Sequence, residues 1–144
     1  MTAKDYLKQI QSLEDALTDK QLELEQLEAL ATSITAPTDR EAVQTSNISD
    51  KTGNFGAKIA DLKNEIEQQA AAFLEEKQKR IKVIDSVRSL DDIQGSILHK
   101  KYVWYMSLKN VARELCYSYE YTRHLHQKAL KTAEMFIAEK DNTQ

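Results

Sequence analysis

The residues with the greatest capacity for chemistry stand close together near the C-terminus, in the stretch SLKNVARELCYSYEYTRHLHQKALKTAEMF that runs from Ser107 to Phe136. At 3.6 residues per turn, Tyr119, Glu120, Arg123, His124, Gln127 and Lys131 fall on one side of a helix, while Thr122, Leu125, Ala129 and Leu130 fall on the other. The outward set suits a DNA duplex. A guanidinium such as that of Arg123 presents a two-pronged donor matched to guanine, and a carboxylate such as Glu120 can accept from cytosine. Lys109, Arg113, Lys128 and Lys131 are charges suited to phosphate, as is Ser118, whose hydroxyl can cap the helix and whose following backbone N–H groups point at an anion. His124 adds a contact to base or phosphate. Each of these side chains would serve equally well as a solvated surface group, so their meaning rests on the elements that position them.

No catalytic or metal-binding arrangement accompanies them. His124 and His126 are two residues apart, so on a helix they point to different faces and share no ion. The single cysteine, Cys116, rules out an intrachain disulfide and any CxxC motif, which fits a reducing compartment. The expectation is a non-enzyme with no metal and no cofactor.

The net charge of −3 conceals an asymmetry. Residues 1–89 carry 12 basic and 16 acidic side chains, whereas residues 90–144 carry 8 basic and 7 acidic, with all three histidines, the only tryptophan and five of the six tyrosines. Phosphate binding needs a local cluster of cations rather than a basic whole, so the acidic total does not exclude it. Nothing at the N-terminus resembles a signal peptide, and no apolar run approaches the roughly 20 residues that cross a bilayer, so a cytoplasmic protein with no membrane contact is expected.

Three glycines, one proline and 30% charged residues predict an all-α chain. Apolar residues recur at steps of four and three through Tyr6, Ile10, Leu13, Leu17, Leu24, Leu27, Ala31 and Ile34, with Lys20 as a break. Pro37 and the polar run after it predict a loop over about residues 36–50. The pattern resumes through Phe55, Ile59, Leu62, Ile66, Gln69, Phe73, Glu76, Arg80, Val83, Val87 and Leu90. Two such helices would be about 45 and 55 Å long and too thin to stand alone. A long antiparallel helical hairpin over residues 1–90 is the simplest way to bury both seams. Gln69, Glu76 and Arg80 interrupt the second seam and are read equally as setting register, marking a contact with a second subunit, or being solvated.

Asp91, Asp92 and Gly95 end the heptads, and residues 91–144 read as a small three-helix helix-turn-helix domain. Ser107 caps a short helix with Val111, Ala112 and Leu115 on its apolar face, Cys116 and Tyr117 make the turn, and Ser118 caps the second helix. Alanine at 112 lets the two helices cross closely. Tyr102, Trp104, Tyr105 and Tyr117 are expected as the aromatic core of this domain.

Over about 45 residues this segment resembles region 4 of bacterial sigma factors, with an upstream helix Ile93–Tyr102, a short helix Leu108–Leu115, a turn Cys116–Ser118 and a recognition helix from Tyr119. Ser118, Glu120, Arg123, Leu125, Lys128, Ala129 and Leu130 carry the likeness, and it implies that positions 119, 120, 123 and 124 meet DNA. Cys116 stands where the family usually has glycine, and Tyr119 and Tyr121 stand where sigma factors often have arginine. The whole chain is also similar to phage and prophage late-transcription regulators of the ArpU and RinA type, through LEQLEALATSITAPTDR, SDKTGN and ELCYSYEYTRHLHQKAL. That resemblance implies a sequence-specific transcriptional regulator whose partners are double-stranded DNA and, through the hairpin, RNA polymerase or a second copy in a homodimer. A packaging protein like the small terminase subunit and a structural coiled-coil adaptor are the alternatives.

Overall fold

The computed structural model describes the backbone of residues 1–35 and 45–142, and the surroundings of the side chains of residues 1–33 and 55–139. Among the described residues the elements are all helical: α1 Ala3–Thr35, α2 Thr45–Leu90, α3 Asp92–Leu98, a π-helical turn His99–Val103, α4 Leu108–Leu115 and α5 Tyr119–Asn142. The chain is all-α, as its composition predicts. None of the described helices is long and apolar enough to cross a membrane.

Local chemistry accounts for the helix ends. At the start of α1, Thr2 Oγ1 accepts from the Asp5 amide at 3.2 Å, and the Asp5 carboxylate accepts from the Thr2 hydroxyl at 2.8 Å, a reciprocal cap. Those bonds from Thr2 hold the Asp5 carboxyl below its ordinary value. Asp91, in extended backbone, receives the amides of Ile93 and Gln94 at 3.1 and 3.2 Å and so ends α2 and opens α3. Residues 45–50 of the expected loop over 36–50 belong to α2, which already runs from Thr45. Thr, Ser and Asn favour helix starts as well as turns, and the same side-chain chemistry serves both. Residues 36–44, with Pro37, lie outside the described residues.

The chain divides into two compact units, Asp15–Ala72 and a larger one made of Met1–Glu14 with Phe73–Gln144. In the first, ion pairs join Lys20 to Glu65 at 2.6 Å and Glu28 to Lys63 at 3.7 Å. Leu62 is the one buried residue described there, whereas Leu17, Leu24, Leu27, Ile59 and Ile66 stay half-buried.

The second unit holds a true core. Ala3 and Leu7 from α1, Val83, Ile84 and Val87 from α2, Leu98 and Tyr102 after them, and Ala129 and Ala133 from α5 are buried in one cluster. Small side chains set the spacing. At Gly95 a Cβ would lie 2.4 Å from the Cβ of Arg88, so glycine is what allows α3 to fold back against the end of α2. The upstream helix expected over Ile93–Tyr102 is present, but it widens from α to π at His99.

The polar seam residue Arg80 is 4% exposed, and it is not solvated. Its guanidinium donates to the Tyr6 carbonyl at 2.8 Å, to the Glu76 carbonyl at 2.9 Å and carboxylate at 2.8 Å, and to the Gln9 side chain, while lying 4.2 Å from the centre of the Tyr6 ring. Hydrogen bonds from Arg80 and then Lys79 hold the Glu76 carboxyl below its ordinary value. Of the three readings open for this residue, register within the unit is the one these contacts support. Arg80→Ala should cost about 2–4 kcal/mol of unfolding free energy, from lost packing and from the Gln9 and Tyr6 acceptors left without their donor. Urea denaturation of the full chain measures it, and a cost below about 0.5 kcal/mol would show that the guanidinium is dispensable.

Candidate nucleic-acid interface

Helix α4 begins at Ser107, whose hydroxyl accepts from the Asn110 amide at 3.2 Å, and ends at Leu115. The turn that follows closes by paired bonds, the Tyr117 amide to the Ala112 carbonyl at 2.9 Å and the Cys116 amide to the Arg113 carbonyl at 3.2 Å. This pattern requires a left-handed residue, and Cys116 supplies it with φ 61° and ψ 36°. A cysteine therefore occupies a conformation that glycine adopts without penalty. Ser118 then caps α5, accepting from the Tyr121 amide at 3.1 Å, while Thr122 returns its amide and hydroxyl to the Ser118 carbonyl at 3.0 and 2.9 Å.

The two faces of α5 separate cleanly. Thr122, His126, Ala129 and Ala133, at steps of four, three and four, are buried, and Leu125 and Leu130 are half-buried. They pack towards α4, where Val111 and Ala112 are buried in turn, and towards α3, where Gln94 lies 3.0 Å from the Thr132 hydroxyl. Tyr119, Glu120, Arg123, His124, Gln127, Lys128 and Lys131 are all exposed, as are Ser118 and, on α4, Lys109 and Arg113. Among the described residues, none of Lys109, Arg113, Arg123, Lys128 and Lys131 is held in an ion pair. Five cations on two adjoining helices are thus unengaged, whereas Lys100 nearby is bound to Glu114 at 2.6 Å. No family model, curated protein or solved structure matches this chain.

The ring behind the outward face is fixed by a buried polar pair. Tyr102 Oη lies 2.9 Å from His126 Nε2, and the two rings stack at 5.8 Å. Burial, with the charges of Lys101 and Lys4, pushes the His126 imidazole down to about 4, and burial pushes the Tyr102 phenol up to about 12. Both groups are neutral across the physiological range, and His126 is a core residue rather than a ligand. His124, two positions earlier, is exposed, so the expected division between the two histidines is observed.

The aromatic expectation needs correction at one position. Tyr102 is buried and Tyr105 and Tyr117 are half-buried, but Trp104 is 56% exposed, held from outside by the Lys100 ammonium at 4.9 Å and the edge of His99 at 5.2 Å. The π-helical turn rotates it outward, and Tyr105 follows with φ 57°. Composition could not reveal this, since it depends on one widened turn. Tyr121 is also exposed, beside Tyr117 in an edge-to-face contact at 5.2 Å, although only Tyr119 was expected to reach a partner. The signal available for it was the Ser118 cap, after which Tyr119, Glu120 and Tyr121 all precede the first inward residue, Thr122.

Two outcomes follow from this geometry. Because the folded His126 titrates near 4 and an unfolded one near 6.5, the stability it contributes is complete above 6.5 and is lost as the pH falls from there to about 4. The loss is on the order of 3 kcal/mol, and urea midpoints between pH 7 and 4.5 should fall more steeply for the parent than for His126→Gln; parallel curves would exclude this origin. Cys116→Gly should raise stability by about 0.5–1 kcal/mol through relief of the left-handed backbone, and Cys116→Val should lower it. Equal melting of all three proteins would mean that the turn is not strained.

Proposed function

We propose that this chain is a sequence-specific DNA-binding transcriptional regulator that sets the N-terminal half of α5 in the major groove. The observation that carries the reading is the face of α5 itself, where Glu120, Arg123, Gln127 and Lys131 project at steps of three and four from a helix whose opposite side is buried. The spacing of cap, turn and helix, and the likeness of residues 118–130 to a sigma region 4 recognition helix, support it further.

Charge is distributed to match. The compact unit that contains α4 and α5 carries 15 basic and 12 acidic side chains, for +3, whereas Asp15–Ala72 carries 5 basic and 11 acidic, for −6. Phosphate is attracted to the first and repelled by the second. Arg123 is assigned to a base, Glu120 to a cytosine amine, and Lys109, Arg113, Lys128, Lys131 and the Ser118 end of α5 to the backbone. Tyr119 and His124 flank the reading surface, and Tyr121 joins them.

Sequences selected from a random duplex pool by the full chain provide the substrate for the test. On the preferred site Arg123→Ala should cost about 1–3 kcal/mol and relax preference at one base pair. Lys131→Ala should weaken all duplexes alike and reduce the salt dependence by about one phosphate contact. If no duplex binds at low salt, or if Arg123→Ala binds every duplex as the parent does, the recognition-helix assignment is wrong.

A further inference from the structure

The unit Asp15–Ala72 contains a groove whose chemistry is opposite to that of the DNA-facing helices. It encloses about 370 Å³ and is lined by Glu23 and Leu27 of α1 and by Lys58, Asp61, Leu62 and Glu65 of α2. On α1, residues 23, 27 and 30 share one face, so Leu30, 51% exposed, extends the apolar strip by a turn beyond Leu27. On α2, residues 58, 61, 62 and 65 share another, with the apolar Leu62 between charged neighbours. The apolar strip on α1 therefore runs about one turn, on the order of 5 Å, and the groove as a whole about two.

This surface is under-covered for its composition. Leu27 is only half-buried, and Leu30 on the same face is 51% exposed. Leucines repeated along a helical ribbon and left in water mark a place where another apolar face belongs. The charges around them decide which. Glu65 is paired with Lys20 at 2.6 Å, and Glu23 and Asp61, which outnumber the one lining cation Lys58, have no ion-pair partner among the described residues. With −6 over the unit, a second copy would bring like charge to like, and a phosphate-rich partner would be repelled. A helix with leucines at three- and four-residue spacing and Lys or Arg on its flanks complements both the floor and the rim.

We infer that the groove between α1 and α2 over residues 23–30 and 58–65 docks a basic amphipathic helix from another protein. The inference stands on the acidic, leucine-lined groove alone and is independent of DNA binding by α5. Docking uses residues that take no part in the proposed DNA contact.

Three fluorescein-labelled peptides of 14 residues test it against the full chain by anisotropy: one with leucines at i, i+3, i+4 and i+7 and Lys elsewhere, one with the same leucines and Glu elsewhere, and a scrambled Lys peptide of identical composition. The patterned Lys peptide should bind at least tenfold more tightly than either of the others. The double variant Glu23→Lys, Asp61→Lys and the single variant Leu30→Gln, all at exposed positions, should each weaken it by about tenfold while duplex binding is unchanged. Equal binding of the patterned and scrambled Lys peptides would overturn the proposal by showing charge attraction without a groove. A dimer in sedimentation that Leu30→Gln dissolves would overturn it in favour of a second copy. Failure of duplex binding with peptide binding intact would instead remove the DNA reading and leave this one standing.

Discussion

A guanidinium removed from water must recover nearly all the hydrogen bonds water gave it, and Arg80 recovers them from both long helices at once. The carbonyl of Tyr6 and the side chain of Gln9 belong to α1, and the carbonyl and carboxylate of Glu76 belong to α2. Only one register of α1 on α2 presents all of these together with the face of the Tyr6 ring. That register brings Ala3 and Leu7 opposite Val83, Ile84 and Val87, and these residues make the floor on which Leu98, Tyr102, Ala129 and Ala133 close. Helix α5 is thus supported from beneath in part by Ala3 and Leu7, more than 120 positions before Ala129 in sequence.

Much of the architecture was legible because helical periodicity is a strong local signal. The seam from Phe55 to Leu90 marked α2, the Ser107 and Ser118 hydroxyls marked the starts of α4 and α5, and the outward face of α5 could be assigned except for Tyr121. What the sequence did not disclose was which surfaces meet. A heptad seam reads alike whether one helix or several will cover it, so nothing in the spacing of Ala3, Leu7 and Val83 announces that α5 shares their core. Arg80 was ambiguous for the same reason, since its burial depends on Tyr6 and Gln9 across a long stretch of chain. The exposure of Trp104 depends on one extra residue in a single helical turn, a feature without a propensity signature.

The candidate interface is precise because its two ends are fixed by different means. Its beginning is set by backbone geometry, through the left-handed Cys116 and the Ser118 cap, and its length is set by packing, through the small residues Ala129 and Ala133. Between them the neutral His126 and Tyr102 form a polar contact inside an otherwise apolar layer. A buried pair of this kind tolerates only one rotation of α5 about its axis, and that rotation determines which side chains face outward.

The larger unit draws its residues from both sides of an intervening segment of nearly sixty, Asp15–Ala72, and this has a kinetic meaning. During synthesis the first turns of α1 emerge long before Val83, Ile84 and Arg80 exist to receive them, and before Tyr105, whose hydroxyl reaches Glu14 across 91 positions. Until then Ala3, Leu7 and Ile10 are an apolar stripe with no home, and the entropy of closing so long a loop falls due before the contacts that reward it. In sequence, the segment that carries the Lys20–Glu65 and Glu28–Lys63 ion pairs separates the two halves. Translation is therefore a vulnerable interval for this chain, in which the first turns of α1 are made well before the residues that receive them.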